Sequence, residues 1–61
     1  MTTICINYDS EISTSTIRNR LDIIADRIPC LVKYHADTCE ISVQCRVEDA
    51  LWVERMLADL V

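Results

Sequence analysis

The sequence predicts an α+β fold, a two-layer β-α-β-β-α sandwich with two helices on one face of a three-stranded sheet. Three observations predict it. Two adjacent stretches, Cys30–Ala36 and Cys39–Cys45, alternate with period two, as the strands of a hairpin do. Thr3–Tyr8 alternates in the same way. The segments that follow the first and last of these stretches carry apolar residues at helical spacing.

Taken in order, Thr3–Tyr8 sets Ile4, Ile6 and Tyr8 on one face and Thr3, Cys5 and Asn7 on the other. Asp9-Ser10-Glu11 leaves the strand. The hydroxyl run Ser13-Thr14-Ser15-Thr16 supplies helix-capping side chains, so a helix should start within it. Ile17, Leu21, Ile24 and Ile28 then fall on one helical face. Pro29 ends the helix near Arg27 or Ile28, because the residue before a proline is disfavoured in helical geometry.

The hairpin follows, with the polar pair Asp37-Thr38 between its arms. Pairing about that point sets Tyr34 opposite Ile41, Val32 opposite Val43 and Cys30 opposite Cys45. The other face then shows Leu31, Lys33, His35, Glu40, Ser42 and Gln44. Slipping either strand by one residue destroys this match of apolar with apolar, so the pattern specifies the register. Leu31 is the odd member of a face that would otherwise meet water. After Cys45, Arg46–Asp49 leads into a second helix running to the C-terminus, with Glu48 and Asp49 in its first turn, where the helix dipole favours acids. Ala50, Val53, Leu57 and Leu60 form its buried stripe. Covering one sheet face with both helices buries every apolar stripe at once. Strand order 1-3-2, the split β-α-β arrangement, is favoured, and order 1-2-3 is the alternative.

Sixty-one residues make one domain, 1–61. A chain of this length buries only about 60% of its unfolded surface, so it needs close packing or a partner. It has no glycine, which argues against phosphate-binding loops and dinucleotide fingerprints. The formal net charge of −4 lacks the basic footprint of a nucleic-acid binder. No apolar run approaches a membrane span, and the N-terminus lacks the pattern of a secretory signal, so a cytoplasmic protein with reduced thiols is expected.

Candidate chemistry is sparse. Cys30 and Cys45 could be joined across the strands or be packing atoms under the helices, the second being favoured in a reducing compartment. No C-x₂-C pair is present, and alternation sends His35 and Cys39 to different faces, so no metal or cofactor is expected. A Cys5–His35 nucleophile pair requires strand one beside strand two. Trp52 falls nearly opposite the buried stripe of the second helix, with Glu48, Arg55 and Asp59 on the same outer stripe and Met56 at its edge. An outward tryptophan among charges suits a protein contact. The competing reading packs Trp52 and Met56 sideways against Ile23.

The β-α-β-β-α order, and the passage from an alternating strand into an acidic helix start at Ile41–Asp49, resemble the DNA-damage-inducible protein I (DinI-like) family. That resemblance implies binding to the RecA recombinase filament, with Glu48, Asp49 and Asp59 on the second helix as contact residues. The chain departs from the family in ending at Val61 without a long acidic tail and in carrying Arg55 on that helix.

The residues therefore point to a small non-enzymatic interaction or regulatory module, expected to be a homodimer, that binds and modulates a protein partner without touching nucleic acid or membrane. Phage and mobile-element proteins that restrain a host protein share this profile. The partner-binding candidates are Trp52, Met56, Glu48, Asp49 and Asp59 on the second helix, with Leu31, Lys33 and His35 on the open sheet face. A small thiol protein using Cys5 or the Cys30–Cys45 pair, and an acidic mimic of nucleic acid, are the rivals.

Overall fold

A computed structural model describes residues 1–61, the whole chain. The elements are β1 (Thr2–Asn7), α1 (Thr14–Arg27), β2 (Cys30–His35), β3 (Glu40–Cys45), a 3₁₀ turn (Val47–Asp49) and α2 (Ala50–Ala58). The sheet order is β1-β3-β2, the favoured 1-3-2 arrangement, with both neighbours antiparallel to β3.

The hairpin register is the one that the alternation specifies: Tyr34 pairs with Ile41, Val32 with Val43 and Cys30 with Cys45. On its other side β3 meets β1, with Ile6 opposite Ile41, Ile4 opposite Val43 and Thr2 opposite Cys45. Three rows therefore cross the inner face: Thr2–Cys45–Cys30, Ile4–Val43–Val32 and Ile6–Ile41–Tyr34. Their central members, on β3, are wholly buried, whereas the edge members are half-buried. Cys30 is thus only partly covered, because β2 is an edge strand.

Helix α1 lies over β2 and α2 over β1. Ser13 caps α1, its hydroxyl accepting the Thr16 N–H at 3.3 Å. At the other end the Ile28 N–H still reaches the Ile24 carbonyl before Pro29 breaks the ladder. Ile17, Leu21 and Ile24 enter the core beside Val53, Leu57 and Leu60. Between β1 and α1, the Asp9 carboxylate accepts the Glu11 N–H at 2.9 Å, and the Ile12 N–H closes a turn onto the Asp9 carbonyl. The turn folds Ile12 back against the core.

The second helical segment differs from expectation. It opens as a 3₁₀ turn and its α-helical part ends at Ala58 rather than at the chain's end. The Leu60 carbonyl accepts the Asp9 N–H at 2.8 Å, and the Leu60 N–H bonds the Leu57 carbonyl. The Leu60 carbonyl, which has no partner within the helix, thus ties the C-terminal turn to the end of β1, while Leu60 still reaches the core.

Candidate functional site

The sheet face away from the helices carries three short rows across β1, β3 and β2: Thr3–Gln44–Leu31, Cys5–Ser42–Lys33 and Asn7–Glu40–His35. Leu31, Lys33 and His35 are all exposed there. The Cys5 thiol donates to the Ser42 hydroxyl at 3.7 Å. Strand order places β3 between Cys5 and His35, so the geometry that a nucleophile–base pair requires is not met. No group of three or more His, Cys, Asp or Glu side chains converges anywhere in the chain.

The four cysteines are free thiols. Burial, then the neighbouring Cys45 and Asp49, push the Cys30 thiol above its ordinary range. That direction is opposite to the one that activates a nucleophilic cysteine. Cys39 closes the hairpin turn with a φ of 55°, a left-handed conformation that a chain without glycine must give to another residue.

Trp52 and Met56 are one helical turn apart, and both are half-buried against the core. The indole is therefore partly packed, and Trp52 does not stand on a fully outward stripe. Ile23, 37% exposed, is the most covered of the exposed apolar residues. The outermost apolar side chains of this segment are instead Val47 and Leu51, 72% and 59% exposed. A four-residue spacing puts them on one side, and Leu51 lies two positions from buried Val53, hence far round the helix from the core stripe. That wheel position was the available clue.

Three of the four acids of this segment, Glu48, Asp49 and Asp59, are engaged within the chain, and exposed Glu54 is not. Arg46 Nε lies 2.8 Å from Asp49 Oδ2 and 3.3 Å from Glu48 Oε1. Arg20 of α1 grips Asp59 through both carboxylate oxygens, at 2.5 and 3.0 Å, and also donates to the Met56 carbonyl. The hydrogen bond from Arg20 holds the Asp59 carboxyl below its usual range.

The two ends of the sheet differ in character. At one end β1 begins, β3 ends and β2 begins. Met1, Leu31, Val47 and Leu51 all belong to this end, and they are four of the six large exposed apolar residues of the domain. The charges nearby, Arg27 and Arg46 with Glu48 and Asp49, balance. At the other end, around the hairpin turn, the exposed residues include Asp9, Glu11, Asp37 and Glu40, with His35 as the sole basic side chain among them.

No protein-family model, no curated protein and no solved structure matches the chain.

Proposed function

We propose that this chain is a small regulatory module that acts by binding another protein, without chemistry of its own, and that the apolar end of the sheet is its contact surface. The observation that carries this reading is that four of the six large exposed apolar residues lie at one end of the domain, Leu31 on the open sheet face, Val47 and Leu51 on the helical layer and Met1 at the start of β1, while the surplus acids lie at the other. Single exposed apolar residues are ordinary on a protein surface, whereas four at one end of so small a domain suit an end that another molecule covers. Local charge balance favours the same end, since a surface with little net charge loses less on leaving water. The acidic end keeps the domain soluble and steers it away from other acidic surfaces.

A DinI-like role would ask Glu48, Asp49 and Asp59 to meet a basic partner. Asp49 and Asp59 are already held by Arg46 and Arg20, so the apolar end is the surface put forward.

The test places a photo-crosslinking amino acid at position 51, or at position 38 in the hairpin turn, in the cell that makes the protein. The expected result is a discrete adduct with one protein from position 51, lost when Val47→Glu is added, and none from position 38. Equal adducts from the two positions, or an adduct indifferent to Val47→Glu, would overturn the proposal. Both substituted side chains at the apolar end are largely in solvent, so the variants should fold.

A further inference from the structure

The outer edge of β2 has its own recognition chemistry. The Tyr8 N–H bonds the Cys39 carbonyl, which continues the β1–β3 register. Ladder bonds of an antiparallel pair alternate, so Ile6–Ile41 and Ile4–Val43 are hydrogen-bonded pairs. Glu40, Ser42 and Gln44 must then point their backbone groups at β2, where His35, Lys33 and Leu31 receive them. The N–H and C=O groups of Cys30, Val32 and Tyr34 are left facing outward from the sheet. Beside them runs an open groove of about 330 Å³, lined by Leu21, Ala25, Val32 and Tyr34, with Arg18 and Asp22 of α1 on its rim. Neither rim charge belongs to the ion pairs of the domain.

We infer that a second copy of the chain docks on this flank, β2 against β2 antiparallel, to form a six-stranded sheet. The register follows from three constraints. Opposed residues must share a sheet face, and the outward groups of Cys30, Val32 and Tyr34 must meet each other. Like charges must not be opposed. Val32 opposite Val32 satisfies all three, setting Tyr34 against Cys30 and Lys33 against Leu31. Sliding one step further toward the hairpin turn opposes Lys33 to Lys33. Sliding the other way shortens the overlap to Cys30–Val32.

The rim argues for a second copy over an unrelated strand. A two-fold axis at Val32 brings the two α1 helices side by side and antiparallel. Arg18 of each copy then approaches the stretch of the other that holds Asp22 and Asp26. Each seam then holds one cation facing acids of the other copy, and Arg18 offsets the approach of the Asp22 carboxylates about the axis. Ala25 between them is small enough to let the helices approach. The groove, bounded on one side only in the single chain, becomes shared and closed. No such groove follows β1, whose outer edge offers backbone groups alone.

Sedimentation equilibrium combined with amide hydrogen exchange across a concentration series tests the inference. The expected result is a dimer mass, with exchange at Val32 and Tyr34 slowing as concentration rises while Thr3 and Cys5, on the outer edge of β1, stay fast. Arg18→Asp should weaken dimerisation roughly tenfold, since it turns two attractive contacts into repulsive ones. Adding Asp22→Arg should restore it. A monomer mass at millimolar concentration would overturn the inference. So would a dimer whose Val32 and Tyr34 amides exchange as fast as that of Cys5, or one indifferent to Arg18→Asp. The apolar-end variants lie away from this flank, so the two proposals fail separately.

Discussion

Arg20 on α1 and Asp59 just beyond α2 form a two-point ion pair, Nη1–Oδ1 at 2.5 Å and Nη2–Oδ2 at 3.0 Å, and the same guanidinium donates to the Met56 carbonyl. A planar fork matched to a carboxylate fixes direction as well as distance. The pair therefore sets how the two helices lie together over the sheet. Asp59 is 63% exposed at its side chain, so solvent screens much of the attraction.

The acid response of the protein follows from that pair. The folded state holds the Asp59 carboxyl below its unfolded value, so the unfolded chain binds the proton first. The contribution to stability is complete above the unfolded value of about 4 and is lost as pH falls through the lower folded one. Asp59→Asn should lower the urea midpoint at neutral pH and flatten its decline in acid. Urea titrations of both proteins between neutral pH and about pH 2 check this. Parallel acid limbs would show that other carboxylates control the transition.

Tyr8 and Tyr34 give the alkaline counterpart. Their hydroxyls lie 3.4 Å apart, with ring centroids at 5.8 Å. The hydrogen bond with Tyr34, then burial, raise the Tyr8 phenol well above its ordinary 10.0. A folded value above the unfolded one means stability that is complete below about pH 10 and is lost as pH rises toward the folded value. Tyrosinate absorbance should show one of the two phenols titrating late. Tyr34→Phe should move the remaining phenol downward without restoring it fully, because burial persists.

Cys30 and Cys45 face each other as a non-hydrogen-bonded pair, by the same alternation that exposes the β2 edge. Such pairs bring Cα atoms to about 4.5 Å, within the range a disulfide spans. Glutathione disulfide should convert the pair slowly, two thiols giving one disulfide and two glutathione thiols. The conversion is slow because Cys45 is wholly buried and Cys30 resists ionisation. Intact mass should fall by two hydrogens, and Cys30→Ser should abolish the change. Closing a loop of this length should stabilise the fold by up to about 3 kcal/mol, read from the urea midpoint.

The left-handed Cys39 makes a graded prediction about the hairpin turn. A β-branched side chain suffers most in that conformation and glycine least. Cys39→Val should be less stable than Cys39→Gly by about 1–2 kcal/mol. Equal stabilities in chemical denaturation would mean that the turn relaxes to another conformation.

Alternation and helical spacing made most of this fold legible. Ile41 and Val43 could pair with Tyr34 and Val32 in only one register, and the β-α-β-β-α order favoured the split β-α-β strand arrangement. Where side chains did not determine the backbone, the sequence said less. Cys39 carries no mark of its left-handed φ, because the residue that would announce it, glycine, is absent from the chain. The second helix stops at Ala58, where the Leu60 N–H turns to the Leu57 carbonyl while Arg20 of α1 takes the Met56 carbonyl, a contact across 36 residues that no local pattern encodes. The same limit applied to the candidate surfaces. Leu31 stood out against its polar strand face. Val47 and Leu51 were hidden in a helix start that read as acidic, and Trp52 drew notice by its chemistry although its ring is half covered.

The tie between Asp9 and Leu60 has a consequence for how the chain is made. β1 is synthesised first, yet its strand partner β3 and its covering helix α2 come from the last third of the sequence. During synthesis Ile4 and Ile6 wait for Val43 and Ile41 of β3 before they can pair, and for α2 before they are covered. Assembly of this face is therefore governed by contacts between distant parts of the chain, the kind of contact that slows folding. In that interval a nascent strand with free edges is a natural client for a chaperone at the tunnel mouth.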